Sequence, residues 1–333
     1  MKIYLQESTI KGAEFNAGSK ARRDCDKILE QMGYSRCSMY VSDSRLLHQL
    51  LRLYNMVVVL LKLRKADTCF LQYPYYSCLR FGKIFYRILL GFYSGKIECL
   101  IHDILWYREE KKIEPAIQYL LKKCDTVIVH TPKMKELLIK KLFISPSKIK
   151  VLYLFDYLTE ISPLPANTNG KQIIFAGNLL KSLFLSQLGS LPADLVFHIY
   201  GLYSDKLVES PCCIYKGKFS PENISAIEGH WGLVWDGDQL NTCHGNYGEY
   251  LKINSSHKIS LYIAACKPVI VWEESSLSSF IVENKLGISV HYLFEISDKL
   301  SLLTVQDKKD IEMSVANFSQ CLRKGKMLSN CLC

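Results

Sequence analysis

The sequence predicts two doubly wound, Rossmann-like α/β domains joined by a short linker. Three observations carry this. Short strand-like runs alternate with helical patterns from the first residues onward. The rhythm breaks once, at the Pro-, Asn- and Gly-rich stretch ISPLPANTNG (161–170), and then restarts. The chain has 333 residues, 49% hydrophobic and 22% charged, enough for two domains of about 150 residues with a core in each.

In the first half, residues 3–5, 36–41, 68–72, 97–102 and 126–130 have strand character, with helical patterns between them at 21–32 and 113–122. Strands separated by helices call for crossover connections and a parallel sheet. In the second half the strand-like runs are 172–176, 196–200, 213–216, 232–235, 268–272 and 287–290. The expected division is a first domain at 1–160, a second at 171–310, and a helical segment at 311–333 that crosses back onto the first. Two such sheets are expected to place a cleft between the carboxyl ends of their strands, where ligands of doubly wound folds bind.

Several function classes fall away on composition. The longest apolar runs, such as 56–61, are bounded by Arg52 and Lys62 and are far shorter than the roughly 20 residues of a membrane span. The N-terminal residues run directly into a strand pattern without a signal-peptide core, so a cytoplasmic protein is expected. None of the 13 cysteines stands in a CxxC pair, which leaves reduced thiols and no zinc site. Charge is uneven: residues 1–158 hold 27 Lys and Arg against 15 Asp and Glu, a balance of +12, whereas the remainder has 15 against 17. A basic half points to a polyanionic partner. No nucleic-acid-binding signature accompanies it, so a phosphorylated substrate or an anionic membrane face is the better reading and nucleic acid is not expected. The segment LRFGKIFYRILLGFY (79–93) has the apolar face and basic edges of an interfacial helix.

The chemistry-bearing residues lie where strands end. After the first strand comes Asn16-Ala17-Gly18-Ser19-Lys20-Ala21-Arg22-Arg23-Asp24, a Gly-Ser turn opening a helix, which offers amide N–H groups to a phosphate or sugar oxygen. The run 97–102 ends in His102-Asp103, placing a carboxylate at the rim; helix capping is the competing role for Asp103. In the second half, Ala176-Gly177-Asn178-Leu179-Leu180-Lys181 is a strand, a tight turn and an expected helix start. The densest segment runs from Gly232 to Lys258 and contains Asp236-Gly237-Asp238, Glu249 and Tyr250. A polar, Gly-rich, aromatic loop between apolar strands packs poorly and suits a binding rim. A helix expected from near Asn254, with Lys258 in its first turn, would present its positive end to a diphosphate. Asp236-Gly237-Asp238 has the form of a DxD metal motif, but strand-to-loop turns favour Asp and Gly in any case. No metal and no cofactor are expected.

These residues resemble bacterial O-antigen β-1,6-galactofuranosyltransferases and, more distantly, the glucosyltransferases that extend glycans on streptococcal serine-rich adhesins. The resemblance rests on 17–24, Leu100-Ile101-His102-Asp103, Phe155-Asp156-Tyr157-Leu158, 176–179 and above all 232–258. It implies a GT-B fold, a UDP-sugar donor held mainly by the second domain and a glycan acceptor, lipid-linked, on the first. The donor contacts are then expected among Gly18, Ser19, Asn178, Lys181, Asp236, Tyr250, Asn254 and Lys258. If the donor is α-linked and the product β-linked, the reaction inverts and needs a base. Asp103 is the first candidate, followed by Asp24 and Glu249. Peripheral contact with the inner face of the membrane through 79–93 is a further expectation, and self-association is left open.

Overall fold

The structure, a computed structural model, describes residues 1–7, 17–40, 42, 44–75, 87, 91, 93–204 and 210–333. It divides into two compact units, Met1–Leu152 with Leu328–Cys333, and Tyr153–Met327. The division falls ahead of the Pro- and Asn-rich stretch, and the last six residues belong to the first unit.

The first unit is a six-stranded sheet: β1 (Lys2–Glu7), β2 (Ser35–Met39), β3 (Thr68–Tyr73), β4 (Lys96–Ile101), β5 (Thr126–Val129) and β6 (Ile149–Val151). The spatial order is β2-β1-β3-β4-β5-β6 and every pairing is parallel. Strands β3 and β5 are buried at every position, as expected of a parallel sheet covered on both faces. Helices α1 (Ala17–Gln31), α2 (Arg45–Leu63), α3 (Leu105–Arg108), α4 (Pro115–Lys123) and α5 (Pro132–Leu142) are among its helical elements. Proline occupies the first turn of both α4 and α5, where its missing N–H costs nothing, and Thr131 caps α5 by accepting from the Met134 amide at 3.1 Å.

The second unit repeats the architecture with β7 (Gln172–Ala176), β8 (Val196–Tyr200), β9 (Cys213–Gly217), β10 (Trp231–Val234), β11 (Val269–Trp272) and β12 (Gly287–Val290). Its order is β12-β11-β10-β7-β8-β9, again parallel throughout. Helices α6 (Gly245–Leu251), α7 (His257–Ala264), α8 (Ser278–Glu283), α9 (Ile296–Leu302) and α10 (Val305–Arg323) follow, and α11 (Lys326–Leu332) ends the chain. The core is aromatic: Trp231, Trp235, Trp272, Tyr262, Phe175, Phe184 and Phe197 are fully or almost fully buried. Tyr262 anchors α7 to the sheet, its hydroxyl accepting from the Ala176 amide at 2.7 Å. A Cβ on Gly232 would stand 2.2 Å from that ring, so glycine is what lets α7 approach β10.

Strand order fixes where ligands sit. In each sheet the winding direction reverses once, between β1 and β3 in the first unit and between β7 and β10 in the second. Beyond the carboxyl ends of those strand pairs lies the crevice that doubly wound folds use.

Candidate active site

In the second unit the switch point is occupied by a lysine. Lys258, second residue of α7, donates from Nζ to Asp236 Oδ1 at 2.8 Å and lies 3.4 Å from the Trp235 carbonyl, just past β10. Its stem crosses Gly177 at the end of β7, where an added Cβ would stand 3.1 Å from Cε, and its ammonium lies 5.0 Å from the Phe175 ring centre. Both charges are mostly covered, with side-chain exposures of 15% for Lys258 and 23% for Asp236. Asp236 therefore faces an ammonium. Asp238 lies 3.8 Å from His244 Nδ1, and among the described residues no cluster of three His, Cys, Asp or Glu side chains is arranged around a metal position. Gly237 between them has φ +114°, and a Cβ there would collide with the His244 backbone, so the turn itself demands glycine at that position.

Helix α7 begins at His257, three residues later than the sequence suggests. Asn254 precedes it in a turn closed by Asn254 N–H to the Tyr250 carbonyl at 3.0 Å. Ser256 stands at the N-cap but makes no side-chain cap bond, so its hydroxyl does not cover the positive end of α7. The His257 ring packs 4.3 Å from Phe155, which braces the helix start. Ser276, after β11, donates to the Asn254 carbonyl at 2.8 Å and to the Leu251 carbonyl at 3.2 Å, pinning the turn. The Asn254 Oδ1 atom is buried without a hydrogen-bond partner. A buried amide oxygen is able to accept from a donor such as a sugar or ribose hydroxyl.

Asn178 is exposed and accepts from the Leu180 amide through Oδ1 at 3.1 Å, closing a side-chain turn. That turn changes the expectation for Lys181. It stands in the turn itself rather than at a helix start, ahead of a 3-10 stretch at Leu183–Ser190. Its ammonium donates to Tyr247 Oη at 2.6 Å. Tyr250 is buried within α6, and Glu249 on the same helix is exposed and paired with Lys252 at 3.0 Å.

In the first unit, Gly18 and Ser19 lie inside the first turn of α1 rather than in a loop before it. Ser19 Oγ accepts from Arg23 at 3.2 Å. Asp24 is 1% exposed and bonded to the equally buried Lys20 at 2.6 Å, one helical turn apart. Asp103 follows β4, is 7% exposed and pairs with Arg108 of α3. The segment 79–93 falls, apart from residues 87, 91 and 93, outside the described residues.

The sequence reading missed the polar chain at the first switch point. Asp26 on α1 accepts from Gln6 Nε2 at 2.8 Å and from Gln72 Nε2 at 2.6 Å, at the carboxyl ends of β1 and β3. Gln72 Oε1 in turn lies 2.7 Å from His102 Nε2. With the Gln72 amide donating to a carboxylate, its oxygen faces His102, which fixes the imidazole proton on Nε2. Burial pushes the Asp26 carboxyl up to about 6, against the lowering effect of the Gln6 hydrogen bond. Arg22 closes the site by donating to the Gln72 carbonyl at 3.1 Å and to the Pro74 carbonyl.

The fold is similar to that of a glycosyltransferase from Rickettsia africae, with TM-score 0.59 and 11% identity over 98% of this chain and 96% of that one. It is likewise similar to an α-glucosyltransferase solved with UDP and DNA, at TM-score 0.58 and 10% identity over 100% and 98% of the two chains. Two doubly wound units in tandem are the GT-B fold. In sequence the chain is 32% identical over 330 residues to the β-1,6-galactofuranosyltransferase WbbI of Escherichia coli K12, covering 95% of this chain and 93% of the relative. It is 25% identical over 308 residues to glucosyltransferase 3 of Streptococcus gordonii, covering 92% and 90%. The protein is a GT-B glycosyltransferase that transfers a hexose. The family models for the N-terminal and C-terminal domains of glucosyltransferase 3-like proteins match residues 2–147 and 173–333, and the chain belongs to that family.

Proposed function

We propose that the enzyme transfers galactofuranose from UDP-galactofuranose to a hydroxyl of a lipid-linked polysaccharide intermediate, with inversion at the anomeric carbon. The observation that supports this most is 32% identity to a galactofuranosyltransferase along nearly the whole of both chains. In this reading the second unit holds the donor. Lys258 and the uncapped start of α7 take the diphosphate, Lys181 adds a second cation, and the Asn254 amide oxygen receives a donor hydroxyl. As the acceptor oxygen attacks C1, the bond from C1 to the diphosphate oxygen breaks and UDP leaves carrying the added negative charge. Fixed cations and a helix N-terminus stabilise that charge without reorganising. The acceptor's proton passes to a base, which we assign to Asp103, held in place by Arg108. Asp24 and Glu249 serve less well, the first being enclosed with Lys20 and the second tied to Lys252 at an exposed surface. Because the cationic groups already present suit a diphosphate, metal-independent transfer is part of the proposal.

A second reading is supported by the family models, which are those of glucosyltransferase 3-like proteins along both halves: transfer of glucose from UDP-glucose to a protein-linked sugar. One experiment separates the two. The enzyme is titrated with UDP-galactofuranose, UDP-galactopyranose and UDP-glucose, and donor consumption is followed with lipid-linked and protein-linked acceptors. Consumption of UDP-galactofuranose with the lipid-linked acceptor supports the first reading. Consumption of UDP-glucose alone overturns it.

A further inference from the structure

Helix α2 carries a second set of apolar residues on the side that faces away from the domain. Asn55, Val59 and Leu63 are its buried face, at 7%, 0% and 3% exposure. On the opposite side Leu46, Leu50, Leu53, Val57 and Leu61 are between 56% and 75% exposed. Their spacings of four, three, four and four residues align them in one stripe, about 22 Å long at helical rise. Contiguous exposed apolar surface of this kind marks a contact with something else. Tyr54 extends the stripe, and Tyr40 lies beside it with ring centres 6.3 Å apart, both about half exposed. The Asn55 side chain bonds both the amide and the carbonyl of Tyr40, at 2.9 and 2.8 Å, locking this aromatic pair to the helix.

The charges on α2 itself and its flanking residues, 44–65, are all of one sign. Between residues 44 and 65 there are five Lys and Arg and no Asp or Glu. Lys62 is committed to the Arg36 carbonyl at 2.8 Å, but Arg64 and Lys65 at the C-terminal end are exposed. Among the described residues no helix is long and apolar enough to cross a membrane, and α2 in particular has one face bound to the domain. We propose that α2 lies flat on an anionic lipid surface, its stripe among the acyl chains and its cations at the headgroups. A second copy of the chain fits less well, because α2 offers no acidic residue to meet the cations of another α2. Position adds to this. Helix α2 follows β2, so it starts at the carboxyl edge of the sheet, the edge where Gln72, His102 and Asp103 lie. A lipid-bound acceptor would thus be presented beside the acceptor-side chemistry. The inference extends the proposed function but stands on α2 alone.

The test uses the full-length enzyme and vesicles of phosphatidylcholine with or without phosphatidylglycerol, with neither donor nor acceptor present. Sedimentation should show binding to the phosphatidylglycerol vesicles, weakening as salt is raised. The triple variant Leu50→Glu, Leu53→Glu, Val57→Glu should lose binding while keeping the parent's circular dichroism and thermal unfolding, which report folding of the unit that carries α2. The pair Arg64→Glu, Lys65→Glu should weaken binding on the order of tenfold to a hundredfold. A parent enzyme that ignores anionic vesicles, or a triple variant that still binds them, overturns the proposal. So does a parent dimer that ignores vesicles and becomes monomeric in the triple variant, which would assign the stripe to a second copy. Transfer to a water-soluble acceptor glycoside should be equal in parent and triple variant, so failure of the reaction is distinguishable from failure of the surface.

Discussion

On the proposed donor site, removing Lys258 does more than delete a contact with the donor. In the free enzyme its ammonium neutralises Asp236 at 2.8 Å, and both groups are largely covered. Lys258→Ala therefore takes away a charge-assisted contact to the diphosphate, worth about 1.5–3 kcal/mol, and leaves the Asp236 carboxylate beside the incoming anion. The first effect alone weakens UDP binding on the order of tenfold to a hundredfold. The second adds to it, screened because Asp236 keeps 23% of its side-chain surface. Asp236→Ala alone frees Lys258 and should change UDP affinity far less. The double variant should bind UDP more tightly than Lys258→Ala, since the repelling carboxylate is gone. The two losses are then non-additive, with a coupling of about 0.5–3 kcal/mol, the range for residues in direct contact. Calorimetric titration of the four proteins with UDP measures the cycle, and thermal unfolding confirms that each is folded. If Lys258→Ala binds UDP as the parent does, the lysine is only a clamp between α7 and β10. If the double variant is as weak as the sum of the singles, the pair does not act on the diphosphate as a unit.

Three further outcomes are expected. Asp103→Asn should lower kcat by roughly 10²- to 10⁴-fold at unchanged UDP affinity; full activity in that variant removes Asp103 as the base. Transfer should survive EDTA, and loss on chelation with recovery on adding Mn²⁺ or Mg²⁺ would turn Asp236 and Asp238 into ligands. Asp26, whose folded pKa is raised to about 6 by burial, binds a proton more tightly in the folded than in the unfolded chain, so stability falls as pH rises from about 4 to 6. Asp26→Asn should therefore gain on the parent across that window, by about 3 kcal/mol at most, in denaturant unfolding at a series of pH values; a difference that does not vary with pH would refute the shifted carboxyl.

The sheets were legible because parallel strands buried on both faces read as short apolar runs. Strands β7, β8 and β12 begin and end where the apolar runs do, whereas β6, with only three residues, leaves too little pattern to find. The second-unit loop was legible for a related reason: its polar and glycine-rich residues interrupt two apolar strands. Lys181 shows the limit. A turn closed by the Asn178 side chain displaces the helix start that the Gly-Asn pair suggests, and spacing alone does not distinguish the two. The chain from Gln6 through Asp26 and Gln72 to His102 was invisible, because it joins residues 20, 46 and 30 positions apart that only the strand order brings together. Helix α2 is apolar around most of its circumference, so no periodicity tells which side the domain covers.

The basic excess of the first half also reads differently once its partners are known. Lys62, Lys135, Lys148 and Lys150 donate to main-chain carbonyls of Arg36, Ile149, Lys122, Cys124 and Cys331. Arg22 does the same at the first switch point. A cation bonded to a carbonyl consumes no carboxylate, so a domain that ties its loops and helix ends in this way accumulates positive charge without building an anion site. Lys148, for instance, bonds the carbonyls of Lys122 and Cys124 where α4 ends. Part of the +12 balance is therefore structural, and net charge alone overstates the polyanionic partner. What remains for such a partner is set by placement: in the proposed reading, exposed Arg64 and Lys65 beside an outward apolar stripe serve a surface, while Lys258 of the near-neutral second half serves a diphosphate. The proposed assignment of lipid to the first unit and nucleotide to the second rests on where each cation sits, and reversing Arg64 and Lys65 should affect vesicle binding and leave UDP binding untouched.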